Sequence, residues 1–252
     1  MAKRALLIGI NYTGTNNELN GCHNDIENVC DLLCKLGYPK TEIVQMLDKE
    51  EIETNKVPTG ANMIHWLKKM VDISKAGDTL YIHYSGHGSH MRDQSGDERD
   101  HVDEVICPCD GTYISDDTLN DILVKGLADG VKLRMVFDCC HSGSCVDLAC
   151  RYLYGSKFYQ ENDVIYKDIM MISGCRDTQT SADAWIGTQY TGALTWAFTE
   201  SVTEFLKSDA ISKLFWKDLL YQIRYKLYQG GYSQIPQLSF STRLMVKEKI
   251  NF

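Results

Sequence analysis

The chain has 252 residues, 44% of them hydrophobic, and a formal net charge of −8. That length and composition suit one globular domain with a full core, not a disordered chain. With no Lys/Arg block, the sequence points away from nucleic acid and from an anionic membrane surface, both of which need clustered positive charge, and toward a cationic substrate or a metal cation.

The first ten residues carry neither a long apolar stretch nor a small-residue cleavage site, so an intracellular, cytoplasmic protein is expected. No span of about 20 apolar residues, the length of a membrane helix, occurs. The ten cysteines are therefore expected as free thiols. No CxxC pair is present, and neither Cys107-Pro-Cys109 nor the group Cys22, Cys30 and Cys34 has a second pair at zinc-finger distance.

Short apolar runs alternate with longer amphipathic ones. Residues 5–10 read as a buried strand and 25–36 as a helix with Ile26, Val29, Leu32, Leu33 and Leu36 on one face. A strand at 43–47, a helix at 60–73, a strand at 79–84, a helix at 118–127 and a strand at 133–138 follow. After a less regular stretch at 148–168 come a strand at 169–173, helices at 192–207 and 216–229, and a tail at 237–240 read as an edge strand. The alternation predicts an α/β fold with a mostly parallel central sheet and helices on both faces.

Ligands of such sheets bind beyond the carboxyl ends of the strands. Two predicted strands end there in loops rich in reactive groups: one in Ser85-Gly86-His87-Gly88, the other in Asp138-Cys139-Cys140-His141-Ser142-Gly143. Glycines on both sides of His87 leave it open to reagents. A thiol has an unperturbed pKa of about 8.5, and pairing with a histidine brings it to roughly 3.5–7.5. Cys140 with His87 is thus a nucleophile with its base. Cys139 and Cys140 point to opposite sides of an extended chain, so only one faces the site; His83, inside its strand, is expected in the core. The spacing Cys145 to Arg151 mimics a cysteine phosphatase loop, but its interior lacks glycine and carries Asp147, which repels a phosphate dianion.

Eight segments carry a family resemblance: ALLIGINY (5–12), LNGCHND (19–25), YSGHG (84–88), DEVICP (103–108), FDCCHSG (137–143), ISGCRDTQTSADA (172–184), GALTWAF (192–198) and PQLS (236–239). In this order they resemble the metacaspases, caspase-like cysteine peptidases, over nearly the whole chain. The resemblance implies a caspase-like fold in one compact domain. A large-subunit-like region (1–150) would carry the dyad, followed by a short linker (151–168) and a small-subunit-like region (169–252), as in a type I-like core without its prodomain. It implies a monomer that cuts protein or peptide substrates after Arg or Lys, with His87 and Cys140 catalytic and the oxyanion held near Gly88 and Cys140. A primary specificity pocket is implied at Cys22, Asp25, Ser85 and Asp138. Carboxylates there favour a guanidinium or ammonium group.

The resemblance further implies calcium as an activator, held by Asp103, Asp116, Asp117 and Asp147; hard oxygen ligands suit that ion. Residues 93–104 mimic an EF-hand loop through Asp93, Ser95, Asp97 and Glu104, but Glu98 stands where a glycine is required, so a solvated acidic loop is expected. Arg151, Lys157 and Lys167 are candidate self-cleavage points, and Asp183 and Trp185 either shape the cleft or pack. The rival readings are a catalytically silent caspase-like module that binds calcium or a partner, and a peptidase that prefers aspartate.

Overall fold

The computed structural model describes residues 1–92, 102–139, 146–152, 158–160, 165–174, 183–186, 188–242, 245 and 248–252. In chain order the elements are β1 (Lys3–Gly9), α1 (Cys22–Lys35), β2 (Ile43–Leu47), α2 (Gly60–Asp72), β3 (Thr79–Ser85), β4 (Gly88–Arg92), β5 (Val102–Ile106), β6 (Ile114–Ser115) and α3 (Asp116–Asn120). They continue with β7 (Lys132–Asp138), β8 (Cys150–Tyr152), β9 (Phe158–Gln160), β10 (Asp168–Ser173), β11 (Asp183–Ile186), β12 (Gln189–Gly192), α4 (Ala193–Lys207), α5 (Trp216–Gln229) and β13 (Gln237–Phe240).

The main sheet runs β2-β1-β3-β7-β10-β13-β8-β9. Its first five strands are parallel, and β13, β8 and β9 join antiparallel. Both faces are covered, which is why the parallel strands read as unbroken apolar runs. Along each strand the side chains alternate between two cores. Leu6, Ile8, Leu80, Ile82, Leu133 and Met135 pack with α2 and α3; Ala5, Leu7, Tyr81 and Val136 pack with α1, α4 and α5. Both cores draw on strands before residue 151 and after 168, so the two regions share one domain. Each fully buried Leu, Ile or Phe contributes about 1.5–3 kcal/mol of hydrophobic stabilisation.

Several elements differ from the sequence reading, among them β4, β5, β6, β11 and β12, which it did not contain. The helix expected at 118–127 begins at Asp116, where the Ser115 hydroxyl caps it by accepting from the Thr118 amide (3.3 Å), and widens into a π-helical turn at Asp121–Lys125. β13 is not an edge strand: it lies between β10 and β8. The cause is the stretch read as a linker, whose residues 150–152 and 158–160 pair as β8 and β9 and extend the sheet past β13. Among the described residues, no helix is long and apolar enough to cross a membrane, and no described cysteine is joined in a disulfide.

Arg134, on β7, is fully buried. Its guanidinium pairs with the Asp168 carboxylate (2.7 Å), donates to the Asn251 carbonyl (3.1 Å) and side chain (2.5 Å), and lies 5.5 Å from the centre of the Trp216 ring. Phe252 follows and packs edge-on against that indole at 5.1 Å. One planar cation thus ties β7, β10, α5 and the last residues together. Because removing one partner of a buried pair strands the other, Arg134→Ala is expected to lower stability by about 3 kcal/mol. Urea denaturation measures it, and Arg134→Lys recovers only part of the loss, since an ammonium lacks the planar fork.

Candidate active site

The register of the parallel strands sets the site. Gly9 pairs with Ser85, and Ser85 with Asp138, so β1, β3 and β7 end side by side. Helix α1 crosses these ends closely because residue 9 is glycine: a Cβ there would sit 2.6 Å from the Cys22 carbonyl oxygen and from Ile26. The approach carries Asp25, in the first turn of α1, down to the strand ends.

Asp25 is fully buried. Its carboxylate accepts from the Ser85 hydroxyl (2.5 Å), the Thr191 hydroxyl and the Gly192 amide (3.0 Å). Asp138 accepts from the amide and the hydroxyl of Thr195, both at 2.8 Å. The two carboxylates meet over Gly192, where a Cβ would run into Asp138 and stand 2.9 Å from Asp25 Oδ2. Burial, and then the charge of Asp138, raise the Asp25 carboxyl well above the ordinary carboxylate range, against the opposing hydrogen bonds from Ser85, Thr191 and Gly192. Cys22 is buried at the head of α1, its amide donating to Asn11 Oδ1 (3.0 Å). The structure thus brings Asp25, Ser85 and Asp138 together, with Cys22 one turn from Asp25. His83 is fully buried behind them, 3.2 Å from the Thr195 hydroxyl, and burial holds its imidazole down to about 3.

His87 stands two residues past Ser85 with both backbone groups fixed. Its amide donates to the Tyr12 hydroxyl (2.9 Å), and its carbonyl accepts from the Tyr84 hydroxyl (2.7 Å) and the Cys107 amide (3.1 Å). Tyr12 donates in turn to the Cys107 carbonyl (2.6 Å), and its ring lies 4.6 Å from the imidazole. His87 Nε2 is 2.7 Å from the Asn17 carbonyl. A carbonyl only accepts, so the ring proton is on Nε2, leaving the lone pair of Nδ1 to take a proton. Gly88 opens β4, paired with Ile106.

A second acidic group lies at the start of α3. Oxygens of Asp103, Asp116 and Asp117 come within 4.8 Å of one another, and Asp103 and Asp116 are only 3% and 2% exposed. Asp116 accepts from the amides of Glu104 and Asp117, both at 2.8 Å. Burial, with the nearby charges of Asp103 and Asp117, raises its carboxyl despite those bonds. Two oxygens on one calcium ion, each at about 2.3–2.6 Å, stand at most about 5 Å apart, so the donor set fits a hard cation. Asp147 is not within that group. Its neighbour Val146 gives its carbonyl to Asn120 Nδ2 (2.9 Å), which places the segment at the far end of α3.

Cys140, His141 and Cys145, the segment 93–101 with most of the EF-hand-like loop, and Lys157 lie outside the described residues. Cys139 is buried in the α2 core. Of the self-cleavage candidates, Arg151 is held in β8 between Ser239 and Tyr159, and the Lys167 ammonium donates to the carbonyls of Val124 (2.8 Å), Lys125 (3.0 Å) and Leu127 (2.6 Å), capping the π-helical turn. Trp185 does not pack in the core: it is 62% exposed and stands edge-on to Tyr190 at 5.0 Å on the β11–β12 hairpin. The sequence reading missed Thr191, Gly192, Thr195, Asn17 and Asp48. Asn17 acts through a backbone carbonyl, which no side-chain pattern reveals; Asp48 was readable as the acidic residue following another parallel strand.

The description "Metacaspase, peptidase C14 domain" matches residues 3–149. The chain is 38% identical to Metacaspase-2 of Trypanosoma brucei brucei, covering 94% of this chain and 73% of that protein. It is 34% identical to Metacaspase-1 of Meyerozyma guilliermondii, covering 95% and 69%. Among solved structures, a protein of Geobacter sulfurreducens superposes with a TM-score of 0.68 at 24% identity over 99% of this chain and 98% of its own. Caspase-1 of Spodoptera frugiperda superposes with a TM-score of 0.61 at 11% identity, over 98% and 88%. With strand ends, buried carboxylates and histidine loop arranged on a caspase-like sheet, the chain belongs to the metacaspases, a family of cysteine peptidases.

Proposed function

We propose that this peptidase is activated by calcium and cuts proteins after Arg or Lys, with His87 as general base and Cys140 as nucleophile. The observation that carries the reading is the pair of buried carboxylates, Asp25 and Asp138, meeting over Gly192 at the strand end that leads into His87. Two such groups in a buried site repel each other until a cation enters; a guanidinium or ammonium group relieves the repulsion and an aspartate side chain increases it.

The reaction begins when His87 Nδ1 takes the Cys140 thiol proton. The thiolate attacks the carbonyl carbon after the bound Arg or Lys, and amides near Gly88 and Cys140 stabilise the oxyanion. As the C–N bond breaks, the imidazolium returns the proton to the leaving amine. Water, deprotonated by His87, then hydrolyses the thioester and releases the acid product and free thiol. Asp103, Asp116 and Asp117 would hold calcium. The ion would neutralise charge between β5 and α3.

The pocket has a cost that pH reveals. Asp25 is raised in the folded state above the ordinary value of 3.8, so the folded protein holds its proton more tightly than the unfolded chain. Stability is then full below about pH 4 as far as this group is concerned, and falls as pH rises from there through the raised folded value. Asp25→Asn, isosteric and uncharged, should flatten that part of the curve in urea unfolding followed against pH. The same change should lower kcat/KM on an arginyl peptide at least about 30-fold, the equivalent of about 2 kcal/mol for one buried charge partner.

The dyad is tested directly. Cys140→Ala should abolish cleavage of arginyl peptides and Cys139→Ala retain most of it; equal loss in both would undo the assignment. A calcium chelator should silence the enzyme, and Asp116→Asn should raise the calcium needed for half-maximal rate about tenfold or more. A folded protein with no turnover at any millimolar calcium level would instead favour a silent binding module.

A further inference from the structure

Asp48 follows β2 directly, and its partners lead to both halves of the site. The carboxylate accepts from the amides of Asn11 (2.8 Å) and Tyr12 (2.6 Å) and lies 2.6 Å from His23 Nε2. Burial alone would raise this carboxyl, but the bonds from His23, Asn11 and Tyr12 bring it below the ordinary value, so it is a charged acceptor at neutral pH. Two consecutive amides drawn onto one carboxylate fix the turn after β1, where Tyr12 adopts the left-handed conformation with φ +52, which side chains other than glycine rarely take.

Contacts spread from that turn in three directions. The Tyr12 hydroxyl reaches the His87 amide, and its ring lies against the imidazole. The Tyr12 carbonyl accepts from the Thr15 amide (3.1 Å) and hydroxyl (2.7 Å), and the Asn11 carbonyl from the Leu19 amide (2.7 Å). These bonds close the loop that sets the Asn17 carbonyl on His87 Nε2. The Asn11 side chain accepts from the Cys22 amide at the head of α1, where the N-cap residue, Gly21, offers no side-chain bond.

We propose that Asp48 is a positioning residue for the general base: through Tyr12 it fixes the plane of the His87 imidazole, and through the closed loop it sets the Asn17 carbonyl that keeps the ring proton on Nε2. The inference rests on His87 being the base. Asp48 touches neither the substrate nor the reacting atoms. In Asp48→Asn one of the two backbone amides meets an NH2 group instead of an oxygen, so the turn relaxes and the imidazole loses its fixed orientation. A misplacement on the order of 1 Å costs about 100-fold in rate.

The experiment compares the parent with Asp48→Asn, Tyr12→Phe and His87→Ala. Turnover of an arginyl peptide at saturating calcium is read together with the pH dependence of iodoacetamide alkylation at Cys140. Asp48→Asn should lower kcat about 100-fold with KM little changed, and move the apparent thiol pKa up toward about 8.5; both are read on protein that circular dichroism shows to be folded, since the thiol of an unfolded chain also titrates near about 8.5. Tyr12→Phe keeps the ring but loses the oxygen on the His87 amide. It should shift both readouts in the same direction and decides the matter if Asp48→Asn does not fold. Parent-like kcat and alkylation profiles in the folded variants, with His87→Ala inactive, would overturn the role of Asp48 alone. Parent-like turnover in His87→Ala would overturn the base itself, and the role of Asp48 with it.

Discussion

The site depends on the parallel register that ends β1, β3 and β7 at Gly9, Ser85 and Asp138 in one line. Side-chain direction alternates along a strand, so a slip of one residue would turn Asp138 and Ser85 to the other face and bring their neighbours into the site. Register is fixed by the two cores: Leu6, Ile8, Leu80, Ile82, Leu133 and Met135 fit only the α2 side, and Ala5, Leu7, Tyr81 and Val136 only the α1, α4 and α5 side. The apolar interior is thus what aims the polar groups, and the candidate site is a consequence of how the sheet is packed.

Two acidic groups sit on this scaffold with different neighbours. Asp25 and Asp138 are surrounded by donors from chain positions far apart, the Ser85 hydroxyl on β3 and the Thr191, Gly192 and Thr195 groups at the β12–α4 junction. That junction carries the second region of the chain onto the first, so the pocket is complete only when both regions share the sheet. Asp103, Asp116 and Asp117 instead rely on local amides around the start of α3. One group is a buried pair of carboxylates held by hydroxyl and amide donors, the other has the hard oxygen donors of a divalent ion, and both agree with the negative charge of the chain.

Much of this was legible before any coordinates. The core strands and long helices were readable because unbroken apolar runs and a 3.6-residue period report burial on two faces or one; β2 and α5 have the expected bounds, and α1 has the expected apolar face. The loops after β3 and β7 stand out in the sequence because ligands gather at the carboxyl ends of parallel strands; His87 of the first is described, while residues 140–145 of the second lie outside the described residues. What escaped was long-range or carried by backbone. β13 looked like an edge because nothing local to Gln237–Phe240 records that β8 and β9 pair beyond it. Thr191 and Thr195 look like ordinary helix-start residues until the fold sets them on Asp25 and Asp138, over a hundred and fifty and over fifty residues away respectively. Lys167 looked like an exposed basic residue; its carbonyl partners are Val124 and Lys125 of a π-helical turn and Leu127 just past it, a geometry that sequence periodicity does not signal.

The central claim, that the buried carboxylate pair selects a cationic side chain for the scissile bond, is met most directly by sequencing the products made from an unbiased peptide library at saturating calcium. The proposal predicts that nearly every cut follows Arg or Lys, and that Asp25→Asn erases this bias before it erases cleavage elsewhere. Cuts falling mainly after aspartate, or spread without regard to charge, would contradict it.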